Sequence, residues 1–272
     1  MSSHILDVPG ARLHYETVGS GPVLAVIGLP MTGSGFARLV ALLAADYTVV
    51  TYDPRGFGCS TIEDPELDVT PELTADDVRR VLEAVTDEPA LVFGSSGGAV
   101  TGLALAALHP ERVRTLVAHE PPVIEMLPDA EQVRAQVRDV YDTYLAAGAD
   151  AAFGKFMVMA GFEVPEPDPA SPPAPPSEQD QADGERMLAH SLLPVTSYRP
   201  GIAALKAAPS RVVIAGGATS DGQLAHRTAS ALADALGGPL VEFPGGHGGF
   251  LEPGDGPEAF ARVLCQVLAE DA

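Results

Sequence analysis

The stretch Gly94-Ser95-Ser96-Gly97-Gly98 has the pattern Gly-x-Ser-x-Gly, and it lies between a short apolar run at 90–93 and a helix-compatible segment at 97–109. A serine on such a strand-to-helix corner takes a strained backbone that only small neighbours tolerate, and its hydroxyl is thrust out at the carboxyl edge of a sheet. Ser96 holds the nucleophile's place and Ser95 the variable one. Without chemistry, the same glycines would only let a helix pack closely on a sheet. A serine hydroxyl attacks a carbonyl once a base takes its proton, so a histidine must come within hydrogen-bond reach. Of seven histidines, His247 lies in Pro244-Gly245-Gly246-His247-Gly248-Gly249, between the last apolar run and the last helical segment. That slot puts its imidazole at the same sheet edge. His4 and His14 belong to a terminal hairpin, His109 closes a helix ahead of Pro110, and His190 and His226 fall on helices.

The imidazole needs a carboxylate on its other nitrogen to fix its tautomer and balance its charge. Two candidates exist. Asp221 follows the apolar run 211–215, where the acid most often resides, but it comes one or two residues late; Ala218, Thr219 and Ser220 hold the expected places. Glu120 ends the run 113–118, and Pro121-Pro122 stiffen the chain just beyond it. A tetrahedral oxyanion also needs two N–H donors. Gly97, next after the serine, supplies one, and the loop Gly28-Leu29-Pro30 the other; Pro30 has no N–H, which leaves Gly28 and Leu29 jointly.

These residues need a scaffold that brings them to one edge, and the periodicity describes it. Segments 4–7 and 11–15 flank a Pro9-Gly10 turn and read as an antiparallel hairpin. Short apolar runs at 23–27, 47–52, 90–93, 113–118, 211–215 and 240–243 read as parallel strands buried on both faces. Helical spacing marks 36–45, 74–85, 97–109, 223–236 and 257–269. Strand and helix alternating after a hairpin means an α/β fold: a mostly parallel, eight-stranded sheet with helices on both faces and its ligand site at the strands' carboxyl ends. The alternation breaks between 121 and 208, where 129–147, 149–160 and 181–192 read as helices, so a core of 1–120 and 209–272 carries a helical cap. Within the cap, 164–184 contains seven prolines among polar residues and reads as a loop.

Composition narrows the partners. The 272 residues are 46% hydrophobic, enough to bury a core. A net charge of −21 repels phosphate backbones and anionic membranes, so no nucleic-acid or membrane partner is expected. Cys59 and Cys265 form neither a disulfide framework nor a zinc spacing, and with no leader or spanning segment in view the expected home is the cytoplasm, as a monomer or homodimer. Gly28 and Gly33 have the glycine spacing of a phosphate loop but lack its lysine, and His119-Glu120 runs into prolines where a zinc helix needs a second histidine. Neither metal nor cofactor is expected. Asp53 and Arg55 read as a charge pair pinning a tight turn, outside the site.

From the hairpin through Asp53-Pro54-Arg55-Gly56-Phe57-Gly58-Cys59-Ser60 to the glycine-flanked His247, nearly the whole chain outside the cap resembles the α/β-hydrolases. Within that superfamily, Phe93-Gly94-Ser95-Ser96-Gly97-Gly98, Arg112-Val113-Arg114 and His119-Glu120-Pro121-Pro122 resemble the lactone hydrolases that open zearalenone. In those the triad acid is the glutamate of the matching His-Glu-x-Pro segment, so the resemblance favours Glu120 over Asp221. Many family members carry His-Gly where this chain has Ile27-Gly28.

The expected activity is therefore a cofactor-free serine hydrolase cleaving a small neutral carboxylic ester or lactone through an acyl-enzyme. Met126, Tyr144, Phe153, Phe156 and Met157 are the candidates in the cap for an apolar substrate wall. Two alternatives share these residues: perhydrolase or haloperoxidase-type activity, with peroxide replacing water, and a non-catalytic binding protein on the same fold.

Overall fold

The computed structural model describes residues 1–160 and 176–270. The leading hairpin pairs β1 (Ser2–Val8) antiparallel with β2 (Ala11–Gly19), turning at Pro9-Gly10 as expected. Next come β3 (Val23–Ile27), β4 (Thr48–Tyr52), the two-residue β5 (Thr61–Ile62), β6 (Ala90–Ser95), β7 (Val113–His119), β8 (Arg211–Gly217) and β9 (Leu240–Phe243). Their order is β1-β2-β4-β3-β6-β7-β8-β9, and every pairing from β4 to β9 is parallel. β5 hangs on β2 as a ninth strand beside the expected eight.

The apolar runs are strands because both of their faces are covered. Leu24 and Val26 of β3, with Leu91 and Phe93 of β6, point to one side and pack with Phe36, Leu39 and Leu43 at α1 (Ala37–Leu43) and Phe260 and Leu264 of α10 (Gly256–Ala269). Ala25, Ile27, Ala90 and Val92 point to the other, against α2 (Pro71–Val85), α3 (Gly97–Leu108) and α9 (Leu224–Leu236). Each fully buried Leu or Phe contributes ~1.5–3 kcal/mol to that sandwich. Local signals set the helix ends. Thr70 accepts a hydrogen bond from the Leu73 N–H with Pro71 at the first helical position of α2, and Gly237 closes α9 in the left-handed conformation.

Between β7 and β8 the chain inserts α4 (Ala130–Ala147), α5 (Ala149–Ala160), α6 (Glu178–Arg186), a π turn (Met187–Ser191), α7 (Leu192–Thr196) and α8 (Ile202–Ala207). The first two match the helices expected there. The loop expected over 164–184 is corrected in part: 164–175 lie outside the described residues, whereas 178–184 are helical. The reason is a capping box, in which Ser177 Oγ accepts from the Asp180 N–H and Asp180 Oδ2 accepts from the Ser177 N–H, both at 3.1 Å. Polar composition hid a strong helix start. Among the described residues no helix is long and apolar enough to cross a membrane.

Candidate active site

Ser96 joins β6 to α3 with φ +55° and ψ −122°, a region that bulky or branched side chains avoid. The corner closes because its flanks are glycine: a Cβ on Gly98 would lie 2.3 Å from the Ile27 carbonyl oxygen, and one on Gly94 2.6 Å from that of Gly98. The Ser96 N–H donates to the His119 carbonyl at 2.9 Å, tying the corner to the end of β7. Ser96 is half-buried and lines a cavity; Ser95 is buried within β6 and does not line it.

One residue past β7, Glu120 also has a positive φ, +49°, and its N–H donates to the Ala215 carbonyl at 2.9 Å. Its carboxylate is wholly buried. Oε2 accepts from His247 Nδ1–H at 2.7 Å, while Oε1 accepts from the Gly217 N–H at 2.8 Å and from the Ser220 hydroxyl. Burial alone would raise the pKa, but the hydrogen bonds from His247, Ser220 and Gly217 outweigh it and pull Glu120 down to about 2. The carboxylate is thus ionised and holds the Nδ1–H tautomer, which puts the acceptor lone pair of the imidazole on Nε2. Asp221 is 94% exposed, 3.8 Å from His226 Nδ1, and is not brought to His247.

Two buried neighbours of this pair escape a reading of the sequence. Ser220 fills one of the places where an acid was sought, and its hydroxyl holds the glutamate instead; a hydroxyl at that position was the available signal. His119 is fully buried directly before Glu120, its ring 5.8 Å from Phe243, 5.3 Å from Phe260 and 6.4 Å from His247, and neither ring nitrogen has a hydrogen-bond partner among the described residues. Burial lowers it to about 4, so it is neutral.

Leu29 and Gly97 line the same cavity as His247, pressed together so that a Cβ on Gly97 would meet the Leu29 carbonyl oxygen at 2.4 Å. Gly28 is buried and does not line it. As the first residue of α3, Gly97 has an N–H with no intrahelical acceptor, at the positive end of the helix dipole. Of the five candidates for an apolar wall only Phe156 lines the cavity. Met126 and Tyr144 pack into the main core, Phe153 is 43% exposed, and Met157 is half-buried elsewhere. Met159 of α5, Met187 of the π turn, and Leu192 and Val195 of α7 supply the wall instead. The cavity's water-accessible interior is about 70 Å³.

Asp53 and Arg55 pin their turn, but not to each other. Arg55 Nε donates to Asp77 Oδ2 at 2.7 Å in a buried pair, and Asp53 accepts from the N–H groups of Gly33 and Cys59 and from His14 Nδ1. His14, Asp53 and Cys59 bring ligand-type atoms within 4.8 Å of one another, yet both carboxylate oxygens of Asp53 are already engaged by those donors. A strained hydroxyl, an imidazole fixed by a buried carboxylate and backbone N–H groups around an apolar cavity are together able to carry acyl transfer.

Comparison with known proteins agrees with this architecture. The chain is 32% identical over 252 residues to the uncharacterized hydrolase YraK of Bacillus subtilis (strain 168), covering 90% of this chain and 89% of that one. A zearalenone hydrolase of Cladophialophora bantiana is 34% identical over 126 residues, 45% of this chain and 48% of its own. The crystal structure of the enol-lactonase from Burkholderia xenovorans LB400 superposes with a TM-score of 0.66 at 22% identity, covering 98% of this chain and all of that one. The family model for the alpha/beta hydrolase fold matches residues 21–252, and the chain belongs to that family of hydrolases.

Proposed function

We propose that this hydrolase is a serine esterase or lactonase that works through an acyl-enzyme. The observation that carries the reading is the pairing of half-buried His247 with buried Glu120, in which the imidazole shares one cavity with the strained Ser96. His247 Nε2 takes the Ser96 proton as Oγ adds to the substrate carbonyl, and the imidazolium so formed is balanced by Glu120. The N–H groups of Gly97 and of the Gly28-Leu29 loop hold the oxyanion. The imidazolium then protonates the leaving alcohol, which stays tethered to the acyl group when the substrate is a lactone. Water, deprotonated by the same nitrogen, releases the acid and restores Ser96.

The helical insertion of 121–208 serves as the cap. It contributes Phe156, Met159, Met187, Leu192 and Val195 to an apolar cavity, which suits an uncharged acyl group of modest size. Relatives named as a zearalenone hydrolase and an enol-lactonase support lactones as substrates. Both cysteines are free, which supports placing the protein in a reducing cytoplasm.

The test is labelling with a fluorophosphonate together with turnover of p-nitrophenyl esters and lactones. Stoichiometric labelling of wild type, none of Ser96→Ala, and loss of turnover in that variant are expected. Saturable substrate binding by wild type without a burst of product would overturn the reading in favour of a binding protein.

A further inference from the structure

Ser191 is 2% exposed, lines the cavity shared by Ser96 and His247, and its hydroxyl has no hydrogen-bond partner among the described residues. A buried hydroxyl without a partner is costly and uncommon. Its neighbours show how the fold normally avoids this. Thr196 Oγ1 donates to the Leu192 carbonyl and Ser197 Oγ to the Leu193 carbonyl, each four residues back and each at 2.7 Å.

Ser191 would find the Met187 carbonyl at the same offset. It is the last residue of the π turn, however, and there the Leu192 N–H bonds the Met187 carbonyl, five residues back. The widened turn breaks the four-residue register that Thr196 and Ser197 use, and Met187 and Ser191 both line the cavity. Single π turns inside helices occur frequently at functional sites. Around Ser191 the wall is apolar, from Met187, Leu192 and Val195.

We propose that Ser191 is a specificity-determining residue that donates a hydrogen bond to a second oxygen of the substrate, remote from the scissile carbonyl. The preferred substrates are then oxo- or hydroxy-substituted esters and lactones rather than plain alkyl ones. This rests on the serine-hydrolase reading of the same cavity and adds to it the chemistry of the group recognised. A site built to pair with a substrate oxygen discriminates against an analogue lacking it, because its own polar group is then left unpaired.

The test uses the full chain with p-nitrophenyl esters of straight acyl chains, each matched to partners bearing a ketone at successive positions. Wild type is expected to favour one oxo position over its unsubstituted match by about 10-fold in kcat/KM, as one neutral hydrogen bond gives. Ser191→Ala should erase that preference, bringing the ratio between the two members of the pair to about one, with an unchanged or raised Tm. No oxo preference at any position, or a Ser191→Ala loss equal for both members of a pair, overturns the proposal. Ser96→Ala separates the two ideas: turnover surviving in it defeats the serine-hydrolase reading, whereas its loss without discrimination by Ser191→Ala defeats only the role given to Ser191.

Discussion

Glu120 and His247 stand 127 residues apart in the chain and 2.7 Å apart in space, and the carboxylate that makes the contact is fully buried. Because Oε1 is held by Gly217 and Ser220, Oε2 has one orientation, and it is aimed at Nδ1. Glu120→Gln keeps the shape but replaces an acceptor with an amide that supports neither the tautomer nor the imidazolium. We expect kcat on a p-nitrophenyl ester to fall by ~10³–10⁴, by analogy with the loss from amidating a triad acid, with KM little changed. Asp221→Asn should stay within a few-fold of wild type, since that side chain faces solvent beside His226. The opposite ranking would remove Glu120 from its place.

Ser220 touches Glu120 and does not line the cavity, so in the proposed mechanism it is a positioning residue. Ser220→Ala deletes a charge-assisted hydrogen bond, which costs about 1.5–3 kcal/mol of stability at neutral pH and loosens the carboxylate enough to slow turnover by roughly 10-fold. Glu120 lies below its ordinary value, so the stability it lends is complete above about 4.5 and is lost as pH falls toward about 2. The gap between wild type and Ser220→Ala in urea unfolding should therefore narrow as pH drops through that window. A gap independent of pH would mean that the hydroxyl serves packing alone.

Much of this arrangement is legible in the residues themselves. The run 90–93 is a strand because two apolar faces alternate along it, and the glycines around Ser96 announce a corner no other residue fits. His247 is marked by its loop. Glu120 is one of two open candidates on its spacing, and the family resemblance is what favours it, since a sequence cannot show that the 218–220 turn comes back to a carboxylate a hundred residues upstream. Partners across the fold are hidden in the same way. Arg55 reads as the mate of Asp53 two residues away, yet it pairs with Asp77 on α2. The substrate wall is mostly misplaced because Phe153, Phe156 and Met157 lie on neighbouring turns of one helix, and only the packed fold shows that Phe156 faces the cavity while Phe153 is exposed.

His119 couples folding to acid. Burial holds it neutral, down at about 4 against an ordinary 6.5, so the unfolded chain takes up a proton that the folded one refuses. Its stability contribution is whole above pH ~6.5 and is lost as pH falls from there toward 4, by about 3 kcal/mol at ~1.4 kcal/mol for each pH unit. His119→Leu removes the titrating ring and leaves an apolar side chain among Phe93, Phe243 and Phe260. Chemical denaturation of both proteins between pH 7 and 4 should show wild type losing about 3 kcal/mol more than the variant. Parallel curves would mean that the buried ring is protonated in the folded protein.

Two glycine-to-alanine changes should move stability in opposite directions. At Gly98 the added methyl would lie 2.3 Å from the Ile27 carbonyl oxygen and 2.6 Å from Gly28 Cα, backbone atoms that cannot swing aside. The helix must retreat from the sheet at the corner that presents Ser96, so Gly98→Ala should cost about 3 kcal/mol or more and reduce fluorophosphonate labelling in whatever folds. Gly184 sits inside α6 with nothing within 4 Å of the new atom. There Gly184→Ala gains helix propensity and restricts the unfolded chain, stabilising by about 0.4–1 kcal/mol with labelling unchanged. Thermal unfolding of the two variants checks both signs, and a destabilised Gly184→Ala would show that α6 needs the freedom of glycine where its surroundings leave room for a side chain.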